Sequence, residues 1–434
     1  MNRLSVLLCA LAVCGNASAQ LRLPSLNLPP NLGGLGPLDG VRRPVERLVE
    51  RVDLPDLRGL RLDQANQLLR RHPDVLEADP RGAPAVRGEL LAWDPSPAAL
   101  DAARDAGLRV LREERYDELG QTLVVLGVPA GGATAALLER LRALDPAGHY
   151  DFNHIYLGGG AAGGAVGSET GKAPAASDKP GAVRVGLVDG GVDLGHRALR
   201  DTPVRAWGCG GRVHPNAHGT AVAALLAGRD ERFRGAAPGA TLYAADIYCG
   251  DDPTGGSAER IAGALGWLAK EQVGVINLSL VGPPNGVLER MVAALVGRGH
   301  LLVAAVGNDG PAAPPLYPAS YPGVVGVTGV DRNGQPLPEA ARGPQVLFAA
   351  PGNNMVSATL GDPPYRSVRG TSFAAPLVAG LLAPGLARPD RGQARDKLDA
   401  LARRAAGTGD GVVSNSIGRG IVGAELRTDP GRLR

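Results

Sequence analysis

Gly370-Thr371-Ser372-Phe373-Ala374-Ala375-Pro376 runs directly into the apolar segment Leu377-Val378-Ala379-Gly380-Leu381-Leu382. Pro376 fits a first helical turn, where a missing N–H costs least, so a helix is expected over 372–382 with Ser372 at its start. Gly370, Ala374 and Ala375 are small enough to let another backbone approach the serine hydroxyl. The helix N-terminus supplies unpaired N–H groups and partial positive charge, which favour an oxyanion forming beside that serine. A serine before an apolar run is also an ordinary N-cap, so a nucleophile has to be argued from partners elsewhere in the chain.

Three candidate partners lie upstream. Asp189 closes the run Val183-Arg184-Val185-Gly186-Leu187-Val188, which reads as a buried parallel strand. An aspartate at the carboxyl edge of such a strand stands where open α/β sheets place their sites. His218 opens a small-residue helix expected over 218–227, with Gly228 as its stop. Asn308 follows the apolar strand expected over 301–306, in a Gly/Asn turn where its amide can donate to an oxyanion. A serine hydroxyl is a weak nucleophile until a base takes its proton. Imidazole suits that task near neutrality, and a hydrogen-bonded carboxylate fixes its tautomer and stabilises the cation that forms.

At these residues the chain resembles the subtilases, the subtilisin-like serine peptidases. Val188-Asp189-Gly190-Gly191-Val192-Asp193 resembles the family's aspartate motif, His218-Gly219-Thr220 its histidine motif, Gly307-Asn308 its oxyanion asparagine, and the stretch 370–376 its serine motif. The order Asp, His, Ser also agrees. The resemblance covers residues from about 183 to 424. It implies a secreted endopeptidase working through an acyl-enzyme without a cofactor, with Asp189, His218 and Ser372 catalytic and Asn308 in the oxyanion hole. It further implies that extended polypeptide substrates pair with the strand over 276–280, between walls formed by Ser279, Leu280 and Val281 and by Ala304, Ala305 and Val306. Those walls carry no acid, so apolar or aromatic residues are the expected preference before the cleaved bond. Two positions depart from the family pattern: Ala221 stands where a second histidine is usual, and Val281 where a glycine is frequent on the substrate strand.

The rest of the chain organises around that unit. Residues 1–19 carry Arg3, an apolar run through Val13 and the small-residue site Ala17-Ser18-Ala19, the pattern of a secretory signal peptide cut after Ala19. Export to the periplasm or beyond the cell is therefore expected. Cys14 invites a lipid anchor, but Val13 is bulkier than such sites accept. Residues 20–85 read as a spacer with short helices over 45–52 and 62–71. Residues 86–156 follow a βαββαβ order suited to a small α+β, ferredoxin-like domain. In the resembled family a domain of that plan precedes the peptidase as an inhibitory propeptide, which places 151–156 in the substrate groove. Residues 157–180 form a Gly/Ala/Ser linker that contains the letters G-x-G-x-x-G without the strand or helix a dinucleotide site needs. From 181 to 426, apolar strands alternate with helical patterns, so a parallel sheet covered on both faces is expected. Residues 427–434 are a tail.

Composition adds bounds. The chain has 434 residues, 44% hydrophobic and 21% charged, with net charge +3, so no nucleic-acid partner is implied and a monomer with no stable membrane span is expected. Outside the signal segment the cysteines are Cys209 and Cys249, and an even pair in an exported protein suggests a disulfide. No metal site is expected. The segment 228–235 is short and rich in arginine, unlike the family's main calcium loop, and Asp251 and Asp252 read as a solvated turn. Two other readings remain at this level. One is an inactive module that captures peptides by strand addition, opposed by the intact Asp189, His218 and Ser372. The other is a nucleotide-binding oxidoreductase, opposed by the linker context of the glycine run.

Overall fold

The computed structural model describes residues 57–158, 183–407 and 412–428. The expected signal peptide, the helix expected over 45–52, most of the expected linker and most of the tail lie outside the described residues.

Seven strands form one parallel sheet: β7 (Arg184–Asp189), β8 (Val204–Trp207), β9 (Thr241–Asp246), β10 (Val275–Leu278), β12 (Leu301–Ala305), β13 (Val325–Val330) and β14 (Val346–Pro351). Their spatial order is β14-β13-β12-β10-β7-β9-β8, and every neighbouring pair is parallel. Successive side chains on a strand point to opposite faces, and this sheet buries both. Val185 and Leu187 enter one core, with α4 (Ala217–Ala227) and α7 (Thr371–Leu382). Val188, Tyr243 and Ala245 enter the other, with α5 (Ala258–Lys270) and α6 (Gly286–Val296). A last helix, α8 (Arg391–Arg404), follows the serine helix. The strand expected over 276–280 is broken at Ser279, where β10 ends before the short β11 (Leu280–Val281). The break matters because β11 leaves the main sheet to pair elsewhere.

A second, antiparallel sheet precedes it. Its ladders run β5 (His149–His154), β2 (Pro84–Trp93), β4 (Gln121–Gly127), β3 (Arg109–Tyr116), with β1 (Leu76–Ala78) pairing the start of β2. One face is covered by its own helices, α2 (Pro97–Asp105) and α3 (Thr134–Leu144), around Leu90, Ala92, Val124 and Leu126. The other face, with Leu91, Trp93, Leu123 and Val125, shares a core with α5 and α6 of the larger sheet. The alternation along β2 therefore buries one set of residues locally and the next against the larger sheet's helices.

Polar side chains on β5 fix that docking. Asp151 accepts from the Gly286 N–H at 2.7 Å, and Asn153 from the Glu259 N–H at 3.0 Å. Both satisfy unpaired donors at helix N-termini, where an acceptor is favoured. Arg112 on β3 bridges Glu89 at 2.8 Å and Glu259 at 2.6 Å across the same junction.

Residues expected as spacer contribute structure. The helix α1 (Leu57–Arg71) buries Ala65 beside Leu76, Val86, Ile155 and Leu157, with Leu68 and Leu69 packed against the group. The two residues after Tyr156 are likewise strand and not linker: β6 (Leu157–Gly158) pairs antiparallel with β11.

Candidate active site

The parallel sheet delivers the aspartate. Asp189 is the last residue of β7, and its side chain is 2% exposed. Its Oδ1 accepts from the Gly190 N–H at 2.6 Å and meets His218 Nδ1 at 2.9 Å. A carboxylate on Nδ1 leaves Nε2 as the nitrogen available for proton transfer.

Asn216 aims the histidine. It is the N-cap of α4, accepting from the N–H groups of His218 and Gly219 at 2.8 and 3.1 Å. Gly219 lets the helix start approach the sheet, because a Cβ there would lie 2.2 Å from the Gly190 carbonyl oxygen. Neither residue was identified from sequence as positioning the imidazole, although Asn two residues before a helical histidine is a legible cap. Burial pushes the His218 imidazole toward neutrality, but the charge of Asp189 and their hydrogen bond pull the other way. The net effect is a pKa above the ordinary value of 6.5.

Ser372 is wholly buried in the first turn of α7. The ring of Phe373, the next residue, lies 5.3 Å from the imidazole. His218 Nε2 and Ser372 Oγ are both buried and both lack a hydrogen-bond partner. The Ser372 carbonyl accepts from Ser279 Oγ at 3.0 Å, and Ser279 Oγ in turn accepts from Asn277 at 2.9 Å. The strand break at Ser279 thus ties the serine helix to the sheet. Asn308 Oδ1 accepts from the Thr371 N–H at 3.1 Å, and the Gly307 N–H donates to Thr371 Oγ1 at 3.2 Å. These contacts place Asp189, His218, Asn308 and Ser372 in one site at the carboxyl ends of β7 and β12 and the start of α4 and α7.

The groove residues divide. Leu280 and Val281 face β6, with Leu280 opposite Gly158 and Val281 opposite Leu157. On the other side of the same segment, the Tyr156 N–H donates to the Gly256 carbonyl at 2.8 Å, and Ile155 bridges Ser257. Residues 155–158 therefore run between two edges in the manner of an added strand. Ala304, Ala305 and Val306 are wholly buried within the two cores rather than lining the open cleft. The cleft, about 510 Å³, is lined by His218, Phe373, Tyr248 and Arg369 and is covered in part by Gln64 and Leu68 of α1. An acid does stand near: Asp309, next to Asn308, takes the guanidinium of Arg61 at 2.6 Å. His154 is buried and packed, meeting Asn285 Nδ2 at 3.0 Å and Asp79 at 3.2 Å.

Cys209 and Cys249 are joined by a disulfide with Cα atoms 5.3 Å apart. Among the described residues, the group of ligand-type side chains close enough for a metal is Cys209, Asp246 and Cys249, and its sulfurs are tied to each other. Asp230 is engaged by the N–H groups of Arg232 and Phe233 and by Arg197. Asp252 is paired with Arg260. No helix among the described residues is long and apolar enough to cross a membrane.

Comparison with known proteins agrees with this geometry. A family model described as the subtilase family matches residues 181–420. Subtilisin DY of Bacillus licheniformis is 31% identical over 251 residues, 56% of this chain and 89% of that protein. A thermostable alkaline protease of Halalkalibacterium halodurans is 39% identical over 172 residues, 39% of this chain and 46% of that protein, so this match spans about half of the relative's length. In fold, the chain is similar to fervidolysin from Fervidobacterium pennivorans, a keratinolytic enzyme related to subtilisin. The TM-score is 0.62 at 18% identity, covering 79% of this chain and 61% of the other.

Proposed function

Because the chain belongs to the subtilase family, we propose that it is a secreted serine endopeptidase made as a self-processing zymogen. Ser372 attacks the peptide carbonyl while His218 Nε2 takes its proton. His218 then returns the proton to the leaving amine, and water repeats the cycle on the acyl-enzyme. Asp189 holds the imidazole through Nδ1 and stabilises its cation. The Asn308 amide and the Ser372 N–H hold the oxyanion, in a buried setting where such donors act strongly.

The observation that carries this reading is the His218–Asp189 contact at 2.9 Å, together with the buried, unpartnered His218 Nε2 and Ser372 Oγ. A structural histidine in a core would have both nitrogens satisfied, as buried polar groups normally are.

Residues 57–158 act as the inhibitor in this reading. Their last strand lies along Leu280 and Val281, where extended substrate would pair. In this reading β6 carries the chain through Gly158, and of the two candidate places the processed bond is assigned to the segment beyond Gly158 and not to Tyr156. The Gly/Ala/Ser segment that follows lets the new ends separate at little conformational cost. Reaction of the exported protein with a fluorophosphonate probe tests the activity. Labelling mapped to Ser372 and lost in Ser372→Ala supports it, whereas an unlabelled, proteolytically inert protein excludes it.

A further inference from the structure

Among residues 155–158, Tyr156 is the most deeply buried. Its side chain is fully buried, set among Ile261, Leu265, Leu278, Leu288, Val292 and Pro318. The void left around it is about 10 Å³, at or below the space one water needs, so the ring fills the pocket. Two glycines shape the mouth. A Cβ on Gly282 would lie 2.4 Å from Tyr156 Cδ1, and one on Gly256 would lie 2.3 Å from the Tyr156 carbonyl oxygen.

The floor of this pocket is polar. Tyr156 Oη donates to the Pro283 carbonyl at 2.8 Å. Burial holds the phenol well above its ordinary pKa, so the hydroxyl keeps its proton and remains a donor. The neighbouring hydroxyl, Tyr321 Oη, is already engaged twice: it donates to the Asn285 carbonyl at 3.0 Å and accepts from the Asn285 N–H at 2.9 Å. Its proton is committed, so it does not serve Pro283. A ring of the same shape without the hydroxyl would forgo this bond to the part-buried Pro283 carbonyl.

We infer that the mature cleft selects tyrosine over phenylalanine at the substrate position that Tyr156 occupies in the zymogen. The inference rests on the peptidase reading, in which substrates follow the path of residues 155–158 between Gly256 and β11. Between two rings of otherwise equal shape, the loss of this one hydrogen bond is the discriminator. Phenylalanine in that place is expected to lower kcat/KM by about tenfold. Tryptophan is disfavoured by volume, since the pocket has no room beyond the phenol.

Digestion of a denatured proteome by the matured enzyme, with the cut ends sequenced by mass spectrometry, tests this. The expected result is one fixed position N-terminal to the cut at which tyrosine outnumbers phenylalanine about tenfold after correction for abundance. Equal use of the two, or a phenylalanine excess at every position, overturns the inference while leaving the peptidase reading intact. A complete lack of cleavage would instead remove the peptidase reading, and this inference with it.

Discussion

Arg61 donates to Asp309 at 2.6 Å across 248 residues of sequence, one position beyond Asn308. The pair joins α1 to the site, and Leu68 and Leu69 pack the same helix against the group containing Ile155 and Leu157. The side chains are 24% and 5% exposed, so screening is incomplete and a charge-assisted bond here contributes about 1 kcal/mol. Arg61→Ala should therefore shorten the lag before activity appears by roughly fivefold. Time courses of peptide hydrolysis from freshly purified full-length protein measure this, and an unchanged lag would remove α1 from the proposed inhibitory contact.

Gly219→Ala should be far more damaging than its size suggests. Its new Cβ would fall 2.2 Å from the Gly190 oxygen and 2.8 Å from the Gly191 oxygen, both backbone atoms that cannot swing away. The start of α4 must move, taking His218 off Asp189. A misplacement on the order of 1 Å costs about 10²-fold in rate, and overpacking adds roughly 1–3 kcal/mol of destabilisation. Steady-state kinetics and thermal unfolding of the variant check both, and near-native kcat would contradict the assigned role of this close approach.

The residues proposed for catalysis were legible because each sits in a local pattern: strand then Asp189, His218 opening a small-residue helix, strand then Asn308, and Ser372 opening an apolar helix. The alternation that divides Val185 and Leu187 from Val188 across the sheet was equally readable as a doubly buried strand. Other features were not. β14 ends in Pro351, and β15 (Met355–Ala358) and β16 (Tyr365–Val368) are four residues each, too short for a periodic signal. The segment 157–158 reads as linker because Gly158 has no strand preference, and only the opposite partner, β11, makes it a strand. The second face of β2 and the Arg61–Asp309 pair depend on contacts between distant segments, which no local pattern encodes. Ala304, Ala305 and Val306 looked like groove walls because they precede Asn308, but two-sided burial of β12 encloses them.

The Cys209–Cys249 bridge closes a separation of 40 residues. It ties the loop after β8 to the loop after β9, whose Tyr248 and Gly250 line the cleft. Replacing both cysteines by serine should cost about 2–4 kcal/mol. Thermal unfolding with and without reductant should show the same loss in the wild type and no reductant effect in the variant. Equal melting temperatures for the two proteins would contradict a stabilising bridge.

The pH dependence follows from His218. Its pKa is raised above 6.5 in the folded protein, so catalysis, which needs neutral Nε2, should rise with pH through a value above 6.5. The stability contribution has the opposite sense. A raised pKa means the folded state holds the proton more tightly, so the His218–Asp189 pair stabilises fully below about 6.5 and this part fades as pH rises through the folded pKa. Asp189→Asn should move the kinetic pKa down and lower kcat by several orders of magnitude. A pH profile unaltered by that substitution would contradict the pairing.

Intact-mass measurement of the purified wild-type and Ser372→Ala proteins, expressed identically and kept free of other proteases, tests the central claim most directly. The account predicts that the wild type loses everything up to a bond beyond Gly158 and that Ser372→Ala retains residues 57–158. An alanine variant processed as fully as the wild type, or a wild type that stays intact while hydrolysing peptides, would contradict it.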